Sequence, residues 1–567
     1  MDESFDFDAS LYEPRYSEEG LDTFAACLNA RGVYESNRFA LRLSPVVHEL
    51  VESILAKSAA GTADFTGEEL QAYSTYLHET VHWWQHKGST SGFIRSLVYP
   101  VQTHGNMTEL QTILQSLGPH KCIQDLALSG ELGLLPENFR DAALAANVVT
   151  NNFMDTEFYL HLTHDPKKKD LEIYANPYFQ AAGHSFLVTY GQVIGAVSEL
   201  IDQSGRVLPS PQELADKLEE MAEQRVRGYY YGSPITRAPV GLAELYEGQA
   251  RFIQLQFLAN SSAGGLTLDE VRHEGMLDGV YGAAFKQFLK ISDTPEPMSI
   301  DDPVVALFLF ICDMSINPTA GFPAPIRSYD TFYLDADPGI RFAVLCLAVA
   351  KEPALRDVVQ DYSAEEYQRL ASRLGELSGL GNHLIDLADF RVRIEHDDLA
   401  KKLVAEHKCF QFTDRNIVLK LLTGEFISFL GDRIDHPEFF CWAGHWLSQG
   451  NIEGPRKLWL SHLSLFSDKA DDDSLYPRMH PERAESDVLE TFNQFFASII
   501  LYDLSRQWVL IPGPFKLDYS WLTPLSGDAG FREQVSGIFR RHYGVGLADM
   551  SLIDSAEIRS KVPSWPR

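Results

Sequence analysis

Apolar residues recur every three or four positions along most of this chain, and that spacing limits its fold more than any other feature. Helical runs are expected at about 107–118, 138–162, 178–203, 211–225, 241–259, 364–378 and 483–506. Two apolar runs, VVALFLFIC at 304–312 and FAVLCLAVA at 342–350, fall short of the roughly 20 residues a membrane span needs and read as buried helices. Strand signals are few. The clearest is Arg38–Leu43, ahead of a helix near 45–58. The expected class is mainly α with a small β component (α+β), with no repeat period. The Pro- and Gly-rich stretch SINPTAGFPAPIRSYD, 315–330, marks the best boundary. It separates a region 1–325 from a helical C-terminal region 326–567. DKADDDSLYPRMHPE, 468–482, reads as an exposed acidic loop.

Charge narrows the partners. The 567 residues carry a formal net charge of -31, and basic residues cluster only briefly, at Lys167–Lys169 and Arg540–Arg541. Neither cluster suits a phosphate backbone or an anionic membrane, so no nucleic-acid and no membrane partner is expected. Six cysteines, Cys27, Cys122, Cys312, Cys346, Cys409 and Cys441, are scattered without a CxxC pair, which fits reduced thiols in a cytoplasm. The opening MDESFDFDASLYEP has no basic segment leading into an apolar run, so no secretory signal is expected.

The chemistry concentrates in YLHETVHWWQHKG, 76–88. Thr66 with Glu69 forms a capping box at the start of that helix, and Gly88 is expected at a left-handed cap at its end. At about 100° per residue, His78 and His82 stand one turn apart on one face, where both imidazoles can reach one cation. Glu79 is rotated beside them, placed to accept a proton from an attacking water rather than to ligate. With 18 histidines in the chain, HExxH alone can arise by chance, so a third ligand is required. GLAELYEGQARFIQLQFLA, 241–259, supplies Glu247 among small neighbours, Ala243, Gly248 and Ala250, that admit a close helix. Glu244 on the same helix competes, without the following Gly-x-Ala.

HETVH followed by EGQARF resembles the gluzincin zinc metallopeptidases, in which a glutamate on a later helix completes HExxH. The resemblance covers the two motif helices only. It implies His78, His82 and Glu247 as Zn2+ ligands, Glu79 as general base, a zincin-like core and hydrolysis of peptide bonds in a protein or peptide substrate. The interval from His82 to Glu247 is longer than in compact members and implies a helical insertion at about 100–240 that restricts access. The metzincin pattern HExxHxxGxxH is absent, and no second ExxH supports a di-iron bundle.

Other residues carry milder expectations. His86 suits the helix dipole better than a substrate contact, and Trp83 and Trp84 suit the core or a pocket wall. His161 with His164, and His480, read as helix-end or capping groups. Tyr229, Tyr230 and Tyr231 offer an oxyanion donor or plain packing. Two rivals remain open: a zinc-binding interaction scaffold, and a zinc hydrolase acting on a bond other than a peptide.

Overall fold

The structure is a computed structural model that describes residues 30–558, apart from 63, 168–169, 262–265, 414–415, 450–452, 555 and 557. Cys27, the opening stretch 1–14, Lys168 and Lys169 lie outside the described residues. Helix takes 67% of the described residues and strand 5%, so the protein is mainly α with a small β component.

The elements that position the site run in this order. Strands β1 (Gly32–Glu35) and β2 (Ala40–Leu43) form a hairpin followed by helices α1 (Pro45–Ala59), α2 (Gly67–Gly88) and α3 (Thr90–Gly105). Then come α4 (Arg140–His164), α5 (Ala182–Ile201), α6 (Leu242–Ser261), α7 (Val280–Ile291) and α8 (Pro303–Ser315). The last set is α9 (Ile417–Asp435), strands β3 (Phe466–Lys469) and β4 (Asp472–Pro477), and α10 (Glu485–Leu510). The four strands form one sheet in the order β1-β2-β3-β4, antiparallel within each hairpin and parallel where Ala40 of β2 meets Phe466 of β3.

The expected acidic loop at 468–482 is instead largely this second hairpin. Asp468 is buried and accepts hydrogen bonds from the Leu43 amide at 3.2 Å and from His48 Nε2 at 2.7 Å, so one of its acids is a structural acceptor joining the two hairpins. The strand expected at Arg38–Leu43 is β2 and begins only at Ala40, because residues 36–39 turn, with Phe39 at φ 58°; β1 gave no sequence signal of its own. Four half-buried residues, GVYE, become a strand only because β2 supplies their partners.

One hydrophobic cluster holds residues from all along the described chain, including Leu77, Phe252, Phe308, Phe342, Phe426 and Phe495. The stretch 315–330 is packed into it: Phe322 stacks on Phe93 at 5.1 Å between ring centroids and meets Phe426 at 5.6 Å.

Gly88 does not end its helix in the left-handed conformation. It is the last helical residue of α2, and a β-carbon there would sit 2.1 Å from an edge carbon of the Phe429 ring. Its glycine is a close-approach requirement that seats α2 on α9. Next to it, Lys87 is 3% exposed, donates to Glu425 Oε2 at 3.0 Å and lies over the Trp83 and Phe429 rings. Glu425 Oε1 in turn meets His407 Nε2 at 2.8 Å. The C-terminal end of the motif helix is thereby tied to residues far downstream by a buried ionic network.

Candidate metal centre

The start of α2 is fixed locally: the Thr66 side chain accepts from the Glu69 amide, and the Glu69 carboxylate accepts from the Thr66 amide. From that origin His78 and His82 fall on the face turned to α6. The two helices are joined by Gln85, whose Nε2 donates to the Tyr246 carbonyl at 3.0 Å and to Gln249 Oε1 at 2.9 Å. Gly248 faces the other side of α6, where a β-carbon would stand 3.4 Å from Ala284 and from Phe308, an ordinary contact that does not require glycine.

The structure brings His78, His82 and Glu247 together. Nε2 of His78 and Nε2 of His82 are 3.1 Å apart, and Glu247 Oε2 lies 3.3 Å from the first and 3.4 Å from the second. For a tetrahedral ion with ligands at about 2.0–2.1 Å, the distance between neighbouring ligand atoms is about 3.3 Å. The three donors therefore outline one face of such a tetrahedron. Among the described residues, no other group of three or more His, Cys, Asp or Glu side chains draws its ligand atoms within 4.8 Å of one another. The Glu247 side chain is 31% exposed, so the cluster is open on the glutamate's side.

Gln85 also orients the His82 ring. Its Oε1 lies 2.8 Å from His82 Nδ1, a bond that puts the imidazole proton on Nδ1 and leaves Nε2 for a cation. Nδ1 of His78 is buried without a hydrogen-bond partner, so nothing on that side fixes its tautomer.

Electrostatics split the two rings. Burial lowers the pKa of His78 to about 4 despite the neighbouring Glu247. Burial also opposes the charge on His82, but Glu247, seconded by Glu79, overrides it and raises the pKa to about 9. Glu247 is held well below the usual carboxylate range: burial works against its charge, and His82 and His78 outweigh it. The metal-free cluster thus keeps one proton, on His82, that a cation must displace. Metal affinity should rise with pH up to about 9. At pH 7.5 binding should release about one proton per ion, read as the dependence of the calorimetric heat on buffer ionisation enthalpy. A release of none would contradict the charged His82.

Glu79 lies beneath β1. Burial pushes its carboxyl up to about 7, opposed by His82, and the main chain of Tyr34 hydrogen-bonds the carboxylate. Gly32 covers it so closely that a β-carbon would be 2.8 Å from Glu79 Cγ. The phenol of Tyr34 reaches His86 Nδ1 at 2.9 Å, and the His86 ring stacks on Phe39. His86 is therefore a buried anchor for the first hairpin.

The remaining residues separate cleanly. Glu244 serves its own helix, accepting from the Gly241 amide at 2.9 Å and from Lys167 Nζ at 3.0 Å. Trp83 and Trp84 are core, the latter donating to the His462 carbonyl. His161 and His164 close the last turn of α4 and join no metal-ligating group among the described residues. His480 Nδ1 accepts from the Glu482 amide. Tyr229 is buried and bonded to the Tyr329 carbonyl, whereas Tyr231 is 62% exposed.

Sequence reasoning missed two neighbours of the cluster. The Tyr281 ring stands edge-on to His78, 6.0 Å between centroids, and the Arg251 guanidinium lies 4.1 Å from the centre of the Tyr281 ring. Tyr281 had no local signal. Arg251 did, being one turn after Glu247 on the same helix face. Compared with protein-family models, curated proteins and solved structures, the chain matches none.

Proposed function

We propose that this protein is a zinc-dependent metallopeptidase that hydrolyses peptide bonds of a cytoplasmic protein or peptide. The observation that carries the reading is the triangle of His78, His82 and Glu247 donors, with edges of 3.1, 3.3 and 3.4 Å, beside a carboxylate that does not join it. These three residues would hold the ion, in a zincin-like core of α2, α6 and the sheet that covers them. Bound zinc supplies a Lewis acid that polarises a carbonyl and brings the pKa of water towards 7.

Everything else falls to the chain's own side chains. Glu79, with its carboxyl near 7, takes a proton from the attacking water and returns it to the leaving amine. Gly32 and the main chain of Tyr34 keep that carboxylate in place and dry. Tyr281, whose hydroxyl burial keeps protonated and whose ring stands edge-on to His78, would serve as the phenol donor for a developing oxyanion. The exposed side of Glu247 supports a catalytic rather than a closed structural site, because structural zinc takes four protein ligands.

The test is to incubate the zinc-loaded protein with a proteome-derived peptide library and map new termini. Cleavage should vanish on chelation and return with one equivalent of Zn2+. A library left intact by fully loaded protein would overturn the peptidase reading.

A further inference from the structure

Arg251 is a buried cation with no salt bridge of its own, although its charge favours the ionised form of the nearby Glu79. It is 6% exposed, and no aspartate or glutamate among the described residues forms an ion pair with it. Nη1 donates to Gln254 Oε1 at 2.7 Å, Nε is buried with no hydrogen-bond partner, and the guanidinium plane rests against the Tyr281 ring. Burying a charge unpaired is costly, and a buried donor left open calls for a physical reason.

The position supplies one. Arg251 follows Glu247 by one helical turn, so it borders the metal cluster, and its charge is felt at both His78 and Glu79. A divalent cation in the cluster balances the two carboxylates, Glu79 and Glu247. The guanidinium then remains as the uncompensated charge of the loaded site. Its planar fork matches a carboxylate with two parallel N–H···O bonds, and the Nε edge is uncommitted.

We infer that Arg251 is the recognition group for a substrate carboxylate close to the scissile bond, which makes the substrates acidic at that point. The carboxylate comes either from the terminal residue of a peptide or from an Asp or Glu side chain. This assignment rests on the metallopeptidase reading. The competing account is purely structural: Gln254 Nε2 also donates to Ser74 Oγ at 3.1 Å, so Arg251 and Gln254 together clamp α6 to α2. A clamp accounts for Nη1 and leaves Nε open.

The experiment uses the zinc-loaded full chain and calorimetry with monohydroxamates of succinic, glutaric and adipic acid, each beside its terminal amide. The hydroxamate occupies the metal and the far end samples Arg251 across three spacer lengths. At least one acid should bind about tenfold or more tighter than its amide. Arg251→Gln should abolish the preference, and Arg251→Lys, which keeps the charge but lacks the fork, should weaken it. Equal binding of acids and amides by the wild type overturns the role of Arg251 while leaving the metal site standing, and needs no variant to fold. Failure of every hydroxamate to bind overturns the metal site and this assignment with it. Peptide cleavage then separates the sources. Cuts near a free C-terminus that disappear on amidation identify the terminal carboxylate, and cuts beside internal Asp or Glu in amidated peptides identify a side chain. Cleavage indifferent to both overturns the inference.

Discussion

Glu79→Gln should lower kcat/KM by about 10²–10⁴-fold while zinc content stays that of the wild type. The amide keeps the shape of the side chain under β1 but has no basic oxygen. Glu79 stands outside the donor triangle, so the cation should remain held by His78, His82 and Glu247. Stability gives a second check. Burial disfavours the charge on Glu79, so a neutral amide removes a buried penalty and the metal-free variant should melt no lower than the wild type. Loss of activity with a lower Tm and less metal would mean a damaged site, and undiminished turnover would remove Glu79 from the reaction.

The second large effect concerns stability. Glu425→Gln should destabilise the fold by about 3–5 kcal/mol, because it strands Lys87 in the core beside Trp83 and Phe429 with no carboxylate. Denaturant midpoints at constant slope would measure it. The pH dependence has a definite sign. Burial opposes the charge on Glu425, but Lys87 and His407 prevail and hold its folded pKa well below the usual carboxylate range. A depressed carboxylate contributes stability that is fully present above the unfolded pKa and is lost as pH falls through the folded one. The gap between wild type and variant should be constant above about pH 4.5 and narrow in stronger acid. The double variant Lys87→Met, Glu425→Leu should recover most of the loss, since apolar replacement of a buried pair is often neutral or better. A gap that stayed constant through strong acid would show that Glu425 is not the stabilising charge.

What could be read from the sequence was what neighbouring residues decide. The start of α2 was legible because Thr66 and Glu69 cap it within three positions, and the helix Ala364–Ser378 has the expected bounds, with a Ser363–Glu366 capping box and Gly379 in the left-handed conformation. The meeting of Glu247 with the two histidines was legible through its EGQAR context, whereas Gly248 beside it faces away from them. Gly88 was misread because glycine serves both a left-handed cap and a close approach, and the Phe429 ring that decides between them is distant in sequence. The hairpin at 466–477 was hidden by its acids, one of which is a buried acceptor for the first hairpin. Nothing near Tyr34 in sequence indicates that its main chain would hold the Glu79 carboxylate.

The sheet over Glu79 joins two distant parts of the chain, since β1 and β2 lie beside strands drawn from 466–477. A nascent polypeptide still on the ribosome carries both imidazoles and Glu247 long before β3 and β4 have been translated. It possesses the side chains of the His78, His82 and Glu247 cluster without the finished sheet that covers Glu79. The final setting of the Glu79 carboxylate is thereby deferred until strands far downstream of it have been made.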